Sequence, residues 1–153
     1  MNIAILGNSK FTYLLYKEFS KNIYHNVTVV FQKKKIQPKN SFDFKSHLNK
    51  KNNLYYETSD INSRKTKKFL KSKKLDIIIS NWPKILDEEV INLPKICTIG
   101  SHPTNLPNNR GRHPLHWLIV MGCKYSYLSF FIMDKKIDNG ELIYKKKILY
   151  FGK

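Results

Sequence analysis

His102 and Asp138 are the side chains of this 153-residue sequence best set for acid–base work. His102 lies just beyond the apolar run 96–100, and a histidine at a strand end can act near neutral pH as acid, base or electrophile. Asp138 opens Asp138-Asn139-Gly140 between two further apolar runs. There a carboxylate could orient the imidazole or take a proton, or Asp, Asn and Gly could simply form a hairpin turn. Arg110 and Arg112 carry planar forks suited to phosphate, although anchoring their own loop through carbonyls is an equally good use. Ser9, in the turn Gly7-Asn8-Ser9, sits where a helix start could hold an anion or merely close a tight turn. With one glycine, that turn is not a G-x-G-x-x-G dinucleotide fingerprint. His113 and His116 are three apart, but no third ligand accompanies them, so no metal is expected.

The elements that must hold these residues follow from apolar spacing. Residues 1–6, 27–31, 75–80 and 96–100 read as strands, 75–80 as one buried on both faces. Phe11, Leu14, Leu15 and Phe19 recur at helical spacing, and 62–73, 85–93 and 113–121 read as further helices. Asp87, Glu88 and Glu89 near the start of the third favour its dipole. Residues 33–53 read as a lysine-rich loop with at most one short helix, the most mobile part of the chain. Residues 125–133 and 141–149 close the chain as two strands. Strand–helix alternation implies an α/β fold: a mostly parallel twisted sheet of five or six strands, helices on both faces, antiparallel pairing at the C-terminal end. In such sheets ligands bind outside the carboxyl ends of the strands, where His102 stands.

Composition narrows the class. The chain carries 28 Lys and Arg against 11 Asp and Glu, a net charge of +17. Only Arg64, Arg110 and Arg112 are arginine, the residue that reads phosphates and bases bidentately. A solvated lysine surface is therefore favoured over specific nucleic-acid binding. No apolar run is long enough to span a membrane, no signal peptide is evident and two cysteines make no disulfide framework. A cytoplasmic protein of one domain is expected.

The string Gly100-Ser101-His102-Pro103-Thr104-Asn105-Leu106-Pro107-Asn108-Asn109-Arg110-Gly111, then Pro114 and Trp117, then Ile137-Asp138-Asn139-Gly140, resembles the folate-dependent formyltransferases. That family comprises the glycinamide ribonucleotide, methionyl-tRNA and sugar-nucleotide N-formyltransferases. Its pattern runs roughly Asn-x-His-Pro-Ser-x-Leu-Pro-x-x-Arg-Gly, with Asp-x-Gly some forty residues after its start. The segment 76–86 also looks like the strand and loop that cradle the pterin.

The resemblance implies a Rossmann-like catalytic domain over residues 1–153, shorter at its C-terminus than relatives. It also implies transfer of a formyl group from 10-formyltetrahydrofolate, without a metal, to a primary amine. An amino sugar of a nucleotide-sugar is preferred, because the Gly-Arg-His-Pro string and the lack of a methionyl-tRNA formyltransferase C-terminal domain suit that branch. His102 and Asp138 are implied as catalytic: His102 donating to the developing oxyanion, Asp138 holding the imidazole and relaying the amine proton. Asn81, Trp82, Pro83, Lys84, Ile85, Leu86 and Asp134 would bind the folate. Ser9, Asn105, Arg110 and Arg112 would bind the substrate. Partners would be the small amine, with a homodimer allowed. One position departs from the pattern: Gly100 stands where the family has its catalytic asparagine. The alternatives are therefore a catalytically impaired folate- or nucleotide-binding relative, or a methionyl-tRNA formyltransferase-like protein. Gly100→Asn is expected to raise a low rate.

Overall fold

Strand β1 (Asn2–Gly7) is the apolar run at the start of the chain, and its residues Ile3 to Leu6 are almost wholly buried. The computed structural model describes residues 1–39, 41–48 and 54–149, which fall into two compact units, 1–98 and 99–153. In the first unit β1 pairs in parallel with β2 (Asn26–Gln32) on one side and β4 (Ile77–Asn81) on the other. Strand β3 (Leu54–Thr58) pairs in parallel with β2, giving the order β3-β2-β1-β4.

Helices cover both faces of these strands. Ile3, Ile5, Val27, Val29 and Phe31 share one face and pack with Tyr16 of α1 (Lys10–Phe19) and Phe44 of α2 (Phe44–His47). Tyr56, in register with Val30 on the opposite face, stacks on Phe69 of α3 (Arg64–Ser72) with ring centroids 4.1 Å apart. Strand β4 contributes buried Ile78, Ile79 and Ser80, in keeping with the expected inner strand.

Several local expectations need correction. Of the stripe expected on helix α1, Leu15 and Phe19 pack against the core and Leu14 is exposed, while Thr12 and Tyr16 are buried most fully. The face is turned because Gly7 lets the chain fold tightly over Thr12, while Tyr13 stacks on Phe42 at 4.5 Å. Over residues 33–53 the described part bears out the short helix allowed within the loop. A 3₁₀ turn (Lys34–Ile36) and α2 form there, because Phe44 stacks on Phe31 at 4.8 Å and brings 1% of its surface to solvent. The expected mobility of that stretch falls partly on residues outside those described. Strand β3 was not anticipated and makes the seventh strand. The helix expected over 85–93 is only one turn, α4 (Glu88–Ile91), since Asp87 caps it by accepting from the Val90 N–H at 2.9 Å.

In the second unit β5 (Cys97–His102), which starts at the end of the first, pairs antiparallel with β6 (Tyr125–Ile132). β6 pairs antiparallel with β7 (Leu142–Leu149). Helix α5 (Pro114–Val120) lies between β5 and β6 in the chain. The structure is thus α/β, with parallel strands first and antiparallel strands at the C-terminal end. No helix among the described residues is long and apolar enough to cross a membrane.

Candidate active site

Strand β5 alternates, burying Thr98, Gly100 and His102 on one face. His102 is the last residue of that strand and exposes 6% of its surface. Its Nε2–H donates to the Asn109 carbonyl at 3.0 Å, and its Nδ1 stands 3.5 Å from Asp138 Oδ2. The second separation is ion-pair range rather than a tight hydrogen bond. Asp138 reaches the imidazole from the β6–β7 connection with φ +50°, a left-handed backbone that aspartate tolerates better than most residues. Its Oδ2 also accepts the Gly111 N–H at 3.1 Å, while Oδ1 accepts no hydrogen bond from the described residues. The bare hairpin role for Asp138 therefore does not hold. The connection is far longer than two residues, and the carboxylate is turned inward, its side chain 19% exposed.

Both ring nitrogens already face protein groups, so His102 can donate to a bound oxyanion only by giving up the Asn109 carbonyl. Arg110 and Arg112 flank Gly111, the residue that holds Asp138, and both are exposed. Neither guanidinium makes a hydrogen bond or ion pair with the described residues, which removes the loop-anchoring role and leaves their forks open. Asn105 is not open: its Oδ1 accepts from Lys145 Nζ at 2.8 Å. Asp134 is exposed and closes an Asx turn, accepting from Lys136 N at 2.8 Å and Asn139 Nδ2 at 3.4 Å.

The remaining expected residues belong to the first unit. Ser9 caps α1, accepting from Thr12 N at 3.2 Å and from Asn81 Nδ2 at 2.8 Å. Its hydroxyl is committed to the turn, which favours the tight-turn reading over an anion site. In the loop after β4, Trp82 is half-buried, Pro83, Lys84 and Ile85 are exposed and Leu86 is buried. Asn62 clasps this loop, donating to the Ile85 carbonyl at 3.0 Å and accepting from Asp87 N at 3.0 Å. The backbone groups of Pro83 and Lys84 have no hydrogen-bond partner among the described residues.

Gly100 faces an obstacle to substitution. A Cβ there would lie 2.7 Å from Phe131 Cζ and 3.0 Å from Met133 Cγ, and Phe131 is 2% exposed. Phe131 is the cross-strand partner of Gly100, so its ring fills the space a side chain at 100 would need. Among the described residues no group of three His, Cys, Asp or Glu gathers, and His113 and His116 stand as a pair with rings 5.7 Å apart.

Four residues that build the site gave no chemical signal in the sequence: Asn109, Gly111, Ser129 and Lys145. Ser126 and Ser129 interrupt an otherwise apolar strand, and that interruption was the available cue. Ser129 Oγ donates to the Thr104 carbonyl at 2.6 Å and Ser126 Oγ to the Pro103 carbonyl at 2.9 Å, pinning the stiff loop to β6.

The family model described as Formyl transferase matches residues 1–151, and the chain belongs to that family. A methionyl-tRNA formyltransferase of Thermotoga maritima is 28% identical over 156 residues, covering 97% of this chain and 49% of that protein. The chain thus spans about half the length of this curated relative. Among solved structures, a phosphoribosylglycinamide formyltransferase from Bacillus halodurans superimposes with a TM-score of 0.75 at 15% identity. It covers 98% of this chain and 80% of that one. A sugar N-formyltransferase from Shewanella sp. FDAARGOS_354 gives 0.69 at 18% identity, covering 99% and 58%. These likenesses establish the Rossmann-like formyltransferase fold.

Proposed function

We propose that this protein is a cytoplasmic N-formyltransferase whose formyltransferase domain moves the formyl group of 10-formyltetrahydrofolate to the amine of a nucleotide-linked amino sugar. The observation that carries this reading is the cluster His102–Asp138–Gly111 with Arg110 and Arg112, which have no partner among the described residues, on either side of Gly111. The guanidinium forks would take the substrate phosphates by charge-assisted hydrogen bonds. The dyad would serve the amine.

In this reading Asp138 Oδ2 stays anchored by the Gly111 N–H and the imidazole. Its Oδ1, which accepts no hydrogen bond from the described residues, would take the proton that the amine loses and return it to N10 as the C–N10 bond breaks and tetrahydrofolate leaves. His102 exchanges the Asn109 carbonyl for the formyl oxygen and donates to it as charge develops there. The open backbone of Pro83 and Lys84 would meet the donors and acceptors along the pterin edge, with Trp82 and Ile85 as apolar neighbours. In the same reading Asn81 and Leu86, which flank that loop, and Asp134 would complete the folate-binding residues. Ser9 and Asn105 would belong to the substrate-binding residues in this reading.

The second reading, a binding protein without turnover, draws on Gly100, where Phe131 excludes any side-chain amide. Loss of one oxyanion donor costs about 10²–10³ in rate. Incubating the protein with 10-formyltetrahydrofolate and a panel of nucleotide-linked amino sugars separates the two. Formylated product supports the enzyme. Saturable binding of 5-formyltetrahydrofolate with no product supports the binding protein.

A further inference from the structure

Strand register sets three polar residues in one row. His102 of β5 pairs with Ser129 of β6, and Ser129 pairs with Lys145 of β7, so all three project from the same face of the antiparallel strands. A lysine on an edge strand usually extends into water, as exposed Lys146 does. Lys145 instead is half-buried and folds over the loop that follows His102. Its Nζ donates to Asn105 Oδ1 at 2.8 Å and to the Leu106 carbonyl at 2.6 Å. No carboxylate of the described residues lies within ion-pair range of it. Its charge is therefore spent on two neutral acceptors of one loop, and hydrogen bonds from a charged donor are the stronger kind.

That loop ends on the imidazole. Ser129 Oγ holds the Thr104 carbonyl, Thr104 Oγ1 donates to the Asn108 carbonyl at 2.9 Å, and the next carbonyl, Asn109, accepts from His102 Nε2. We propose that Lys145 is a positioning residue for His102, acting through residues 105–109 to set where the Asn109 carbonyl stands and hence the tautomer and orientation of the ring. The consequence for rate rests on the formyl-transfer reading above; the consequence for the ring does not.

The test uses the full chain and its Lys145→Met and Lys145→Arg variants. Nitrogen-15 spectra of the His102 imidazole report tautomer and hydrogen bonding directly. Lys145→Met is expected to shift the His102 ring nitrogens while the other histidines stay in place, and Lys145→Arg to restore them. In formyl-transfer assays Lys145→Met should lower kcat about 10- to 100-fold, with KM for the formyl donor little changed, since a small misplacement near the reacting centre has that scale. Unchanged His102 shifts in a folded Lys145→Met variant would overturn the proposal. Should that variant not fold, Asn105→Ala removes one of the two acceptors, and His102 shifts identical to wild type would overturn it equally. A wild-type protein that transfers no formyl group would sink the functional reading alone, and the ring spectra would still decide the role of Lys145.

Discussion

His102 Nδ1 and Asp138 Oδ2 stand 3.5 Å apart, one at the end of β5 and the other in the connection between β6 and β7. The Gly111 N–H fixes the same carboxylate oxygen, so the dyad is held from three separate stretches of chain. Replacing His102 by alanine should lower formyl transfer by about 10²–10⁴, the usual worth of a positioned acid–base group. A thermal unfolding curve that keeps its cooperativity would show that the loss is chemical.

Arg110→Ala and Arg112→Ala act on binding. Hydrogen bonds to charged groups are worth about 1.5–3 kcal/mol, so each change should raise KM for a phosphate-bearing amine roughly 10- to 100-fold. KM for the formyl donor should hold steady. Steady-state kinetics with each substrate varied in turn checks this.

Gly100→Asn, expected from the sequence to help catalysis, meets Phe131 instead. Forcing extra atoms into a packed core costs about 1–3 kcal/mol, and the denaturation midpoint should fall accordingly. Adding Phe131→Ala should recover part of that loss, giving a non-additive pair in a double-mutant cycle. The rate benefit of an asparagine would be visible only in the double variant.

Gly140→Ala should be more damaging still. A Cβ at 140 would run into the carbonyl oxygen of Ile132, which is backbone and cannot swing aside. The β6–β7 connection would have to shift, taking Asp138 with it, so stability and formyl transfer should fall together. Urea unfolding alongside the assay measures both.

Glu89 gives the pH prediction. Hydrogen bonds from Lys67, at 2.7 Å, and Lys71, at 2.8 Å, hold its carboxyl down at about 2 from the ordinary 4.5. A folded-state value below the unfolded one stabilises fully above the unfolded value and is lost as pH falls from about 4.5 toward 2. Glu89→Gln should therefore narrow the gap between urea midpoints at neutral and acid pH. Glu89 and Lys71 are solvent-exposed, so the effect should be small and shrink in high salt.

Much of this fold was legible because burial leaves a strong pattern. The run 75–80 anticipated β4 within two residues, and the apolar runs 96–100 and 125–133 anticipated β5 and β6. Strand β3 was missed because Leu54-Tyr55-Tyr56 is short, lies at the end of the parallel order and follows a polar stretch. Helix α2 was legible only as a short helix allowed within its stretch, because the aromatic contacts of Phe44 with Phe31, Tyr13 and Phe42 are tertiary and leave no local signature. At the site, residue type revealed His102 and Asp138. The row His102–Ser129–Lys145 was hidden, because it exists only once the register of three strands is known.

The account rests on the His102–Asp138 pair performing group transfer, and Asp138→Asn tests that most directly. Asparagine keeps the size and an acceptor for the Gly111 N–H but cannot take a proton from an amine. The measurement is formylation of a nucleotide-linked amino sugar by wild type and Asp138→Asn at saturating 10-formyltetrahydrofolate. The account predicts product with wild type and a kcat about 10²–10⁴ lower in the variant, with 5-formyltetrahydrofolate still bound. Equal kcat in the two proteins would contradict it.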